Sequence, residues 1–256
     1  MANFSLTAML NRCFRYSFSK AGLRSSTMDL GDGTVMHIWV PKVHIKSRPT
    51  LILIHGIGAN AMWQWNDFVS PLILAAQFKE RVEKLVLCCA GVCLEDKDME
   101  EGMLQVKSVD EAVSILLPQT PQKMRELMKI SFYKPRKGVP TCFLNDFIRE
   151  MCSEHLQERK ELIQALHKDR KLSNLPKITQ PTLLIWGEHD QIFPLELGHR
   201  LERHLGDNAK LVMIKNAGHA INVEKPKVLL KHFKYFLIDT FRPMEPGNHS
   251  NGCKTD

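Results

Sequence analysis

The chain has 256 residues, of which 44% are hydrophobic and 25% charged, and its formal net charge is +7. This composition predicts a globular domain with a sizeable core. It argues against a membrane-spanning protein, because no apolar run reaches the roughly 18–20 residues that a spanning helix needs. The basic residues come without a nucleic-acid-binding motif, so we expect no nucleic-acid partner. The chain has seven cysteines, an odd number, and none of them are paired in C-x-x-C spacing. This pattern favours a reducing compartment, the cytoplasm.

Residues 1–27 form a basic leader segment, with four Arg or Lys residues and no acid before Asp29. This composition is typical of an organelle transit peptide. The alternative is an amphipathic helix that rests on the domain or on a membrane surface. The sequence therefore predicts a cytoplasmic protein, with organelle import or membrane association through the leader as the alternative.

The first elements after the leader are β-strands. Residues 27–30 and 34–40 are rich in β-formers and flank a Gly-Asp-Gly turn at 31–33, which predicts an antiparallel hairpin. Residues 50–54 form a continuous apolar run, as expected for a strand that is covered on both faces. That strand leads directly into a glycine turn at 55–58.

Three further apolar runs, at 84–90, 182–186 and 210–214, predict more buried strands. Helical periodicity follows two of them: one helix ends at Gly206, and another begins at Pro226. Strands alternating with helices predict an α/β fold with a mostly parallel sheet and flanking helices.

Residues 95–174 contain no strand-like run, but their apolar side chains recur at helical spacing. An insert of about 80 residues is longer than ordinary loops, which predicts a helical cap. The predicted organisation is a core formed by residues 28–94 and 175–242, a cap over 95–174, and a flexible tail over 243–256.

Two residues with catalytic chemistry follow predicted parallel strands. Asp190 comes after the 182–186 strand, and His219 comes after the 210–214 strand. The carboxyl ends of parallel strands meet at one edge of a sheet, where open α/β sheets bind their ligands. We therefore expect Asp190 and His219 to meet at this edge, where the Asp can orient the His and stabilise its protonated form.

Several blocks in this order resemble the α/β-hydrolase superfamily of AB hydrolase-1 type, in particular a plant monoacylglycerol-lipase-like branch of esterases and lipases. The resemblance extends over about residues 28–240. The blocks that carry it are His55-Gly56-Ile57-Gly58 with Trp63 and Trp65, residues 78–82, residues 187–190 with Phe193-Pro194, and Ala217-Gly218-His219.

The resemblance implies that Asp190 is the triad acid and His219 the general base. It also implies that the Ile57 N–H contributes to an oxyanion hole. The residues of that oxyanion and substrate-binding turn are His55, Gly56, Ile57 and Gly58. The implied ligand is a small ester or lipid-like molecule, with peripheral membrane contact as a further expectation, and the chemistry needs no metal or cofactor.

The sequence departs from the family at the nucleophile, which the family displays in a G-x-S-x-G-like turn. No serine, aspartate or cysteine has glycines two positions before and after it. Ser70 precedes a proline, which has no N–H for the oxyanion. Cys89 has Gly91 after it but Leu87 before it. We therefore assign no nucleophile.

The short distance along the chain between residues 55 and 81 explains why the nucleophile turn is missing. Between residues 55 and 81 the family needs two more strands and associated helices, on the order of 50 residues, and the join lies near 71–75. The 50–54 strand would lose both neighbours. We expect a shortened, truncated form with little or no activity. A non-catalytic ligand-binding or regulatory isoform and an epoxide-hydrolase-like relative are the alternatives.

Overall fold

The computed structural model describes residues 4–31, 33–43, 52–58, 60–65, 82–101, 105–166 and 170–237. The strands of these residues are β1 (Leu23–Asp29), β2 (Val35–Pro41), β3 (Leu85–Cys88), β4 (Thr182–Gly187) and β5 (Ala209–Ile214). The α-helices are α1 (Leu6–Lys20), α2 (Ala61–Trp65), α3 (Asp96–Glu100), α4 (Val109–Leu116), α5 (Pro121–Ser131), α6 (Thr141–Met151), α7 (Leu156–Leu166), α8 (Leu195–Leu205), α9 (Ile221–Glu224) and α10 (Pro226–Leu237). Short 3₁₀ turns lie at Gly91–Cys93, Leu172–Asn174 and Gly206–Asn208.

The centre of the fold is a parallel sheet in the order β3-β4-β5. Thr182 of β4 pairs with Leu85 of β3 on one side and with Ala209 of β5 on the other. Every residue of β4 is buried, because β3 and β5 cover its two edges and helices of the same apolar cluster pack on the sheet. This arrangement confirms the predicted α/β fold with a parallel sheet and flanking helices.

The helices that flank this sheet follow the predicted periodicity. Helix α8 buries Leu197, Leu201 and Leu205 against the sheet and ends at Gly206, whose φ of 67° suits glycine. Helix α10 begins at Pro226, as expected for the first position of a helix. Both predicted helices are confirmed.

The first two strands form a separate antiparallel hairpin. Gly31 and Gly33 have φ values of 86° and 85°, as the predicted turn requires. Strand β1 begins at Leu23, which is four residues earlier than the sequence pattern indicates. The hairpin prediction is confirmed, and its first strand extends into the predicted leader segment.

The strand predicted over residues 50–54 is wrong where the structure describes it. Residues 52–54 belong to no strand, and Ile52 and Ile54 are each 40% exposed. Residues 50 and 51 lie outside the described ranges. A strand is stable only when its N–H and C=O groups find partners on a neighbouring strand. The apolar run therefore follows the local pattern of a buried strand, but its placement depends on distant neighbours.

The described residues between 95 and 174 form helices α3 to α7, which confirms the predicted helical insert. A second apolar cluster holds α5 and α6 together, separate from the cluster around the sheet. Its buried members are Met124, Leu144, Ile148, Met151 and Cys152. The division of the chain into core, cap, leader and tail stays a prediction.

Helix α1 packs on the rest of the chain through both polar and aromatic contacts. The Thr7 N–H donates to Asp146 Oδ2 of α6 at 2.8 Å. The Phe14 ring lies 5.1 Å from that of Trp63, and the Phe18 ring lies 5.2 Å from that of Trp39. These contacts show α1 resting on the domain, which is one of the two arrangements predicted for the leader segment. Import and membrane contact stay predictions, and within the described part of the chain no helix combines the length and hydropathy needed to cross a membrane.

Replacing Asp146 with alanine is expected to loosen α1. The substitution leaves the first-turn amide of Thr7 without its acceptor, which costs about 1–3 kcal/mol when the group is buried. Hydrogen exchange of the amides of residues 6–20 should accelerate about tenfold or more, while the exchange of β4 stays unchanged. The matched control is Glu126→Ala, which removes an exposed ion pair with Lys123. Equal protection of α1 in both variants would contradict this tether.

Candidate active site

Asp190 lies in the loop after β4, with its carboxylate buried and fixed. Oδ1 accepts hydrogen bonds from the Ile192 and Phe193 N–H groups, both at 2.9 Å. The same loop is anchored from below, because Trp186 Nε1 donates to the Phe193 carbonyl at 2.7 Å. Two amide donors on Oδ1 orient the group and leave Oδ2 directed at His219.

His219 follows β5 and meets Asp190 across the rim of the sheet. Its Nδ1 lies 2.9 Å from Asp190 Oδ2. An ionised carboxylate can only accept, so Nδ1 carries the proton in this hydrogen bond and Nε2 is left as the basic nitrogen. The ring is 29% exposed and packs edge-on against Phe193, with the centroids 5.5 Å apart. This arrangement can hold and orient an imidazole base.

The loop that follows β4 and the loop that carries His219 lie so close together that a side chain between them would clash. The His189 N–H donates to the Ala217 carbonyl at 2.9 Å. A Cβ on Gly187 would lie 2.1 Å from the Gly218 carbonyl oxygen and 2.7 Å from that of Ala217. Glycine at 187 is therefore required for Asp190 and His219 to share one rim.

Glu224 connects the His219 loop to the residues that follow helix α5. Its carboxylate accepts from the Gly218 N–H at 2.7 Å and from the Tyr133 and Lys134 N–H groups, each at 3.2 Å. The Ala220 N–H also donates to the Ser131 carbonyl at 2.9 Å. Sequence reasoning missed Glu224, because an acid in a short helix gives no signal of which distant amides it will accept from.

Cys89 is the third group at this site. It directly follows β3, has a φ of 46° and donates its N–H to the Ile185 carbonyl at 3.0 Å. Its Sγ, a carboxylate oxygen of Asp190 and a ring nitrogen of His219 all lie within 4.8 Å of one another. The sequence pattern brings Cys89 into consideration only as a nucleophile. Its place after a parallel strand next to β4 was the signal that could have brought it into the site.

The environment of Cys89 keeps it a thiol. Burial raises the pKa of Cys89 well above its usual value, and the charge of Asp190 and the hydrogen bond to that carboxylate raise it further. The backbone of Gly187 lowers the pKa, but by less than burial raises it. Since the thiolate is the nucleophilic form, Cys89 is a poor candidate for an attacking group at neutral pH.

The predicted oxyanion turn lies outside any helix or strand. His55, Gly56 and Gly58 are exposed and Ile57 is half-buried. The Gly56 N–H donates to the Gln64 side chain at 2.9 Å, and that side chain donates back to the Gly56 carbonyl at 3.1 Å.

This turn is linked to the loop of the base through α2. The Asn222 side chain of α9, three residues after His219, donates to the Gln64 carbonyl at 3.1 Å. The oxyanion role of Ile57 stays a prediction. Ser70 lies outside the described residues.

A small apolar cavity of about 40 Å³ lies beside the loop that carries Asp190, between helices α4 and α5. Its apolar lining consists of Val106, Ala112, Ile115, Leu116, Ile130, Ile192 and Phe193. Pockets for drug-sized ligands hold about 300–1,000 Å³. This cavity next to the Phe193 ring is therefore much smaller than a pocket for a drug-sized ligand.

Part of this chain matches a known protein family. The family model for the alpha/beta hydrolase fold matches residues 71–226. The monoacylglycerol lipase ABHD6 of Homo sapiens is 26% identical over 231 residues, which cover 84% of this chain. The matched region covers 63% of that relative's length, so the chain spans less than two thirds of it.

Two solved structures share the fold. A membrane phospholipase A, described as a bacterial virulence factor, superposes with a TM-score of 0.67 at 20% identity and covers 93% of this chain and 92% of its own. A protein described as a lipase from Acinetobacter baumannii gives a TM-score of 0.66 at 19% identity, over 93% of this chain and 97% of its own. At such identities these matches establish the fold alone.

Proposed function

The chain belongs to the α/β-hydrolase family, and we propose that it derives from an ester or acylglycerol hydrolase but has little or no hydrolase activity in this form. The observation that carries this proposal is a formed acid–base pair, with Asp190 Oδ2 2.9 Å from His219 Nδ1, in a sequence without a nucleophile turn. An acid and a base orient and move protons, but acyl transfer also needs an activated nucleophile.

Two observations support the loss of the nucleophile. The family match begins at residue 71, next to the join that the spacing predicts between 71 and 75. Residues 52–54 lie outside the sheet, as expected if the neighbouring strands were lost together with the nucleophile segment. Cys89 does not replace it, because burial and the charge of Asp190 raise the pKa of its thiol and keep it protonated.

The ligand class is proposed from the relatives and from the apolar cavity. The relatives from Bos taurus and Homo sapiens are named monoacylglycerol lipases. The cavity beside Phe193 is lined by apolar side chains of both the cap and the acid's loop, which suits part of an ester or lipid-like molecule. This cavity also favours the second candidate, a protein that binds such a ligand without turning it over.

A fluorophosphonate probe tests the proposed loss of activity, because it labels serine side chains that a triad has activated. We expect no covalent labelling of the full chain, and no hydrolysis of a short-chain monoacylglycerol above background, while an active serine hydrolase in the same assay is labelled. Intact-protein mass spectrometry gives the stoichiometry of labelling.

Two outcomes would contradict the proposal. Stoichiometric labelling that disappears in the His219→Ala variant would show a working serine and base. Ester hydrolysis without labelling that disappears in Cys89→Ala but persists in Cys88→Ala would show a cysteine nucleophile. A shift of the melting temperature by the monoacylglycerol, without hydrolysis, would favour the ligand-binding candidate.

A further inference from the structure

Three side chains of the types that bind zinc converge at the carboxyl edge of the parallel sheet. They are Cys89 after β3, Asp190 after β4 and His219 after β5, one from each strand. We propose that this cluster binds a divalent ion of the Zn²⁺ class through the sulfur of Cys89, Oδ2 of Asp190 and Nδ1 of His219. The proposal does not depend on hydrolase activity.

The distances are close to those of a metal site. The three ligand atoms lie within 4.8 Å of one another, and the Asp190–His219 pair is at 2.9 Å. Zinc holds sulfur at about 2.3 Å and nitrogen or oxygen at about 2.0–2.2 Å, which places tetrahedral ligands about 3.3–3.8 Å apart. Coordination therefore needs the sulfur to move inward by at most about 1 Å, and the carboxylate and imidazole to separate by less than that.

Groups around the cluster orient its ligands as outer-shell partners do in metal sites. The Ile192 and Phe193 amides hold Asp190 Oδ1, which leaves Oδ2 for a metal. The backbone of Gly187 hydrogen-bonds to Cys89, and the Phe193 ring lies against His219. Such fixed partners and an apolar neighbour reduce the reorganisation that metal binding requires.

The charge balance favours a divalent ion. Without a metal, the buried carboxylate of Asp190 supplies the negative charge of the cluster, and burial raises the pKa of Cys89 so that it is a neutral thiol. When Zn²⁺ binds, the thiol loses one proton to solvent and the imidazole proton moves from Nδ1 to Nε2. The ion, thiolate and carboxylate then sum to zero. A thiolate and an imidazole select zinc-like ions over Mg²⁺ or Ca²⁺.

Binding should also block the acid–base pair. With Nδ1 on the metal and the proton on Nε2, His219 can no longer accept a proton. Three protein ligands would leave the fourth position of a tetrahedral ion for water, as in zinc sites that are not purely structural.

The test uses the full reduced chain, freed of metal with a chelator and titrated with Zn²⁺. We expect one Zn²⁺ per chain, with one sulfur in its shell at about 2.3 Å by X-ray absorption. The Cys89→Ser variant should bind more than about 100-fold more weakly, beyond the roughly 10–100-fold that loss of an outer-shell partner costs. The matched controls are Cys88→Ser, at the neighbouring cysteine, and His189→Ala, at an exposed histidine next to the acid; both should bind like wild type.

Several outcomes would overturn the proposal: no stoichiometric binding, a zinc shell without sulfur, or unchanged binding by Cys89→Ser. Weakened binding in His189→Ala would place the ion on surface groups instead. If Cys89→Ser fails to fold, alkylation of the wild-type chain decides the matter. Zinc should then slow the alkylation of Cys89 but not that of Cys88. If zinc slows the alkylation of both cysteines equally, or of neither, the proposed site is contradicted.

Discussion

The Gly187→Ala variant is expected to lose about 3 kcal/mol of unfolding free energy, at the upper end of what overpacking usually costs. The added Cβ would lie 2.1 Å from the Gly218 carbonyl oxygen and 2.7 Å from that of Ala217. These contacts are with backbone atoms, which cannot turn aside as a flexible side chain would. Relief requires the loop after β4 and the loop that carries His219 to separate.

Thermal unfolding of wild type and variant measures this effect. In a protein of this size, a loss of about 3 kcal/mol corresponds to a drop in melting temperature of about 6–12 °C. The matched control is Gly58→Ala, because among the residues that the structure describes no atom lies within 4 Å of a Cβ at Gly58, and the residue has no positive φ. Its melting temperature should stay near that of wild type. A Gly187→Ala variant that melts with the control would show that the two loops are not held this closely.

Removing the Asp98 carboxylate should destabilise the fold by about 3–5 kcal/mol, the usual cost of breaking a buried ion pair from one side. Arg200 of α8 forms two hydrogen bonds with Asp98 of α3, at 2.6 and 2.8 Å. The Asp98 side chain is fully buried, and that of Arg200 is 14% exposed. Asp98→Ala would leave the guanidinium with weaker contacts, among them the Cys93 carbonyl at 3.3 Å and the Glu95 carboxylate at 3.7 Å. Chemical denaturation gives the difference in unfolding free energy.

An exposed pair on the same helix provides the control. Arg203 and Glu196 lie 2.7 Å apart with side chains 65% and 52% exposed, so Glu196→Ala should cost less than about 1 kcal/mol. Equal losses in the Asp98→Ala and Glu196→Ala variants would contradict a special role for the buried pair.

The Asp98–Arg200 pair also gives a pH dependence with a definite sign. Burial by itself raises the pKa of Asp98, but the hydrogen bonds from Arg200 and from the Glu95 N–H outweigh burial and lower the pKa below its usual 3.8. A carboxyl group with a lowered pKa stabilises the fold fully above its unfolded-state pKa and loses this effect as pH falls through the folded-state value. The stability gap between wild type and Asp98→Ala should therefore be constant near neutral pH and narrow only below about pH 4.

Local sequence patterns were sufficient for the elements that carry the acid and the base. The apolar runs that form β4 and β5 predict strands because every residue in them suits a covered sheet. Gly206 and Pro226 mark helix ends through their own backbone preferences. The positions of Asp190 and His219 after two such strands suffice to predict that they share one rim, because parallel strands deliver their carboxyl ends to the same edge.

Local sequence patterns do not predict contacts between segments that are distant in the chain. Glu224 accepts from an amide 90 positions away, and Arg200 pairs with an acid 102 positions away. Neither residue differs in local pattern from an ordinary solvent-exposed charge. The apolar run at 52–54 shows the same dependence, since an intrinsic preference for strand does not supply the neighbours that a strand requires.

The sequence by itself determined the α/β fold, the parallel strands and the order of the acid and the base, since these follow from periodicity and from turn residues. Only the tertiary structure decided that Cys89 shares their site, that Gly187 must lack a side chain, and that Glu224 links the loop of His219 to the residues after helix α5. Each of these depends on how segments from different parts of the chain pack together, and packing depends on the whole chain because buried side chains leave few gaps.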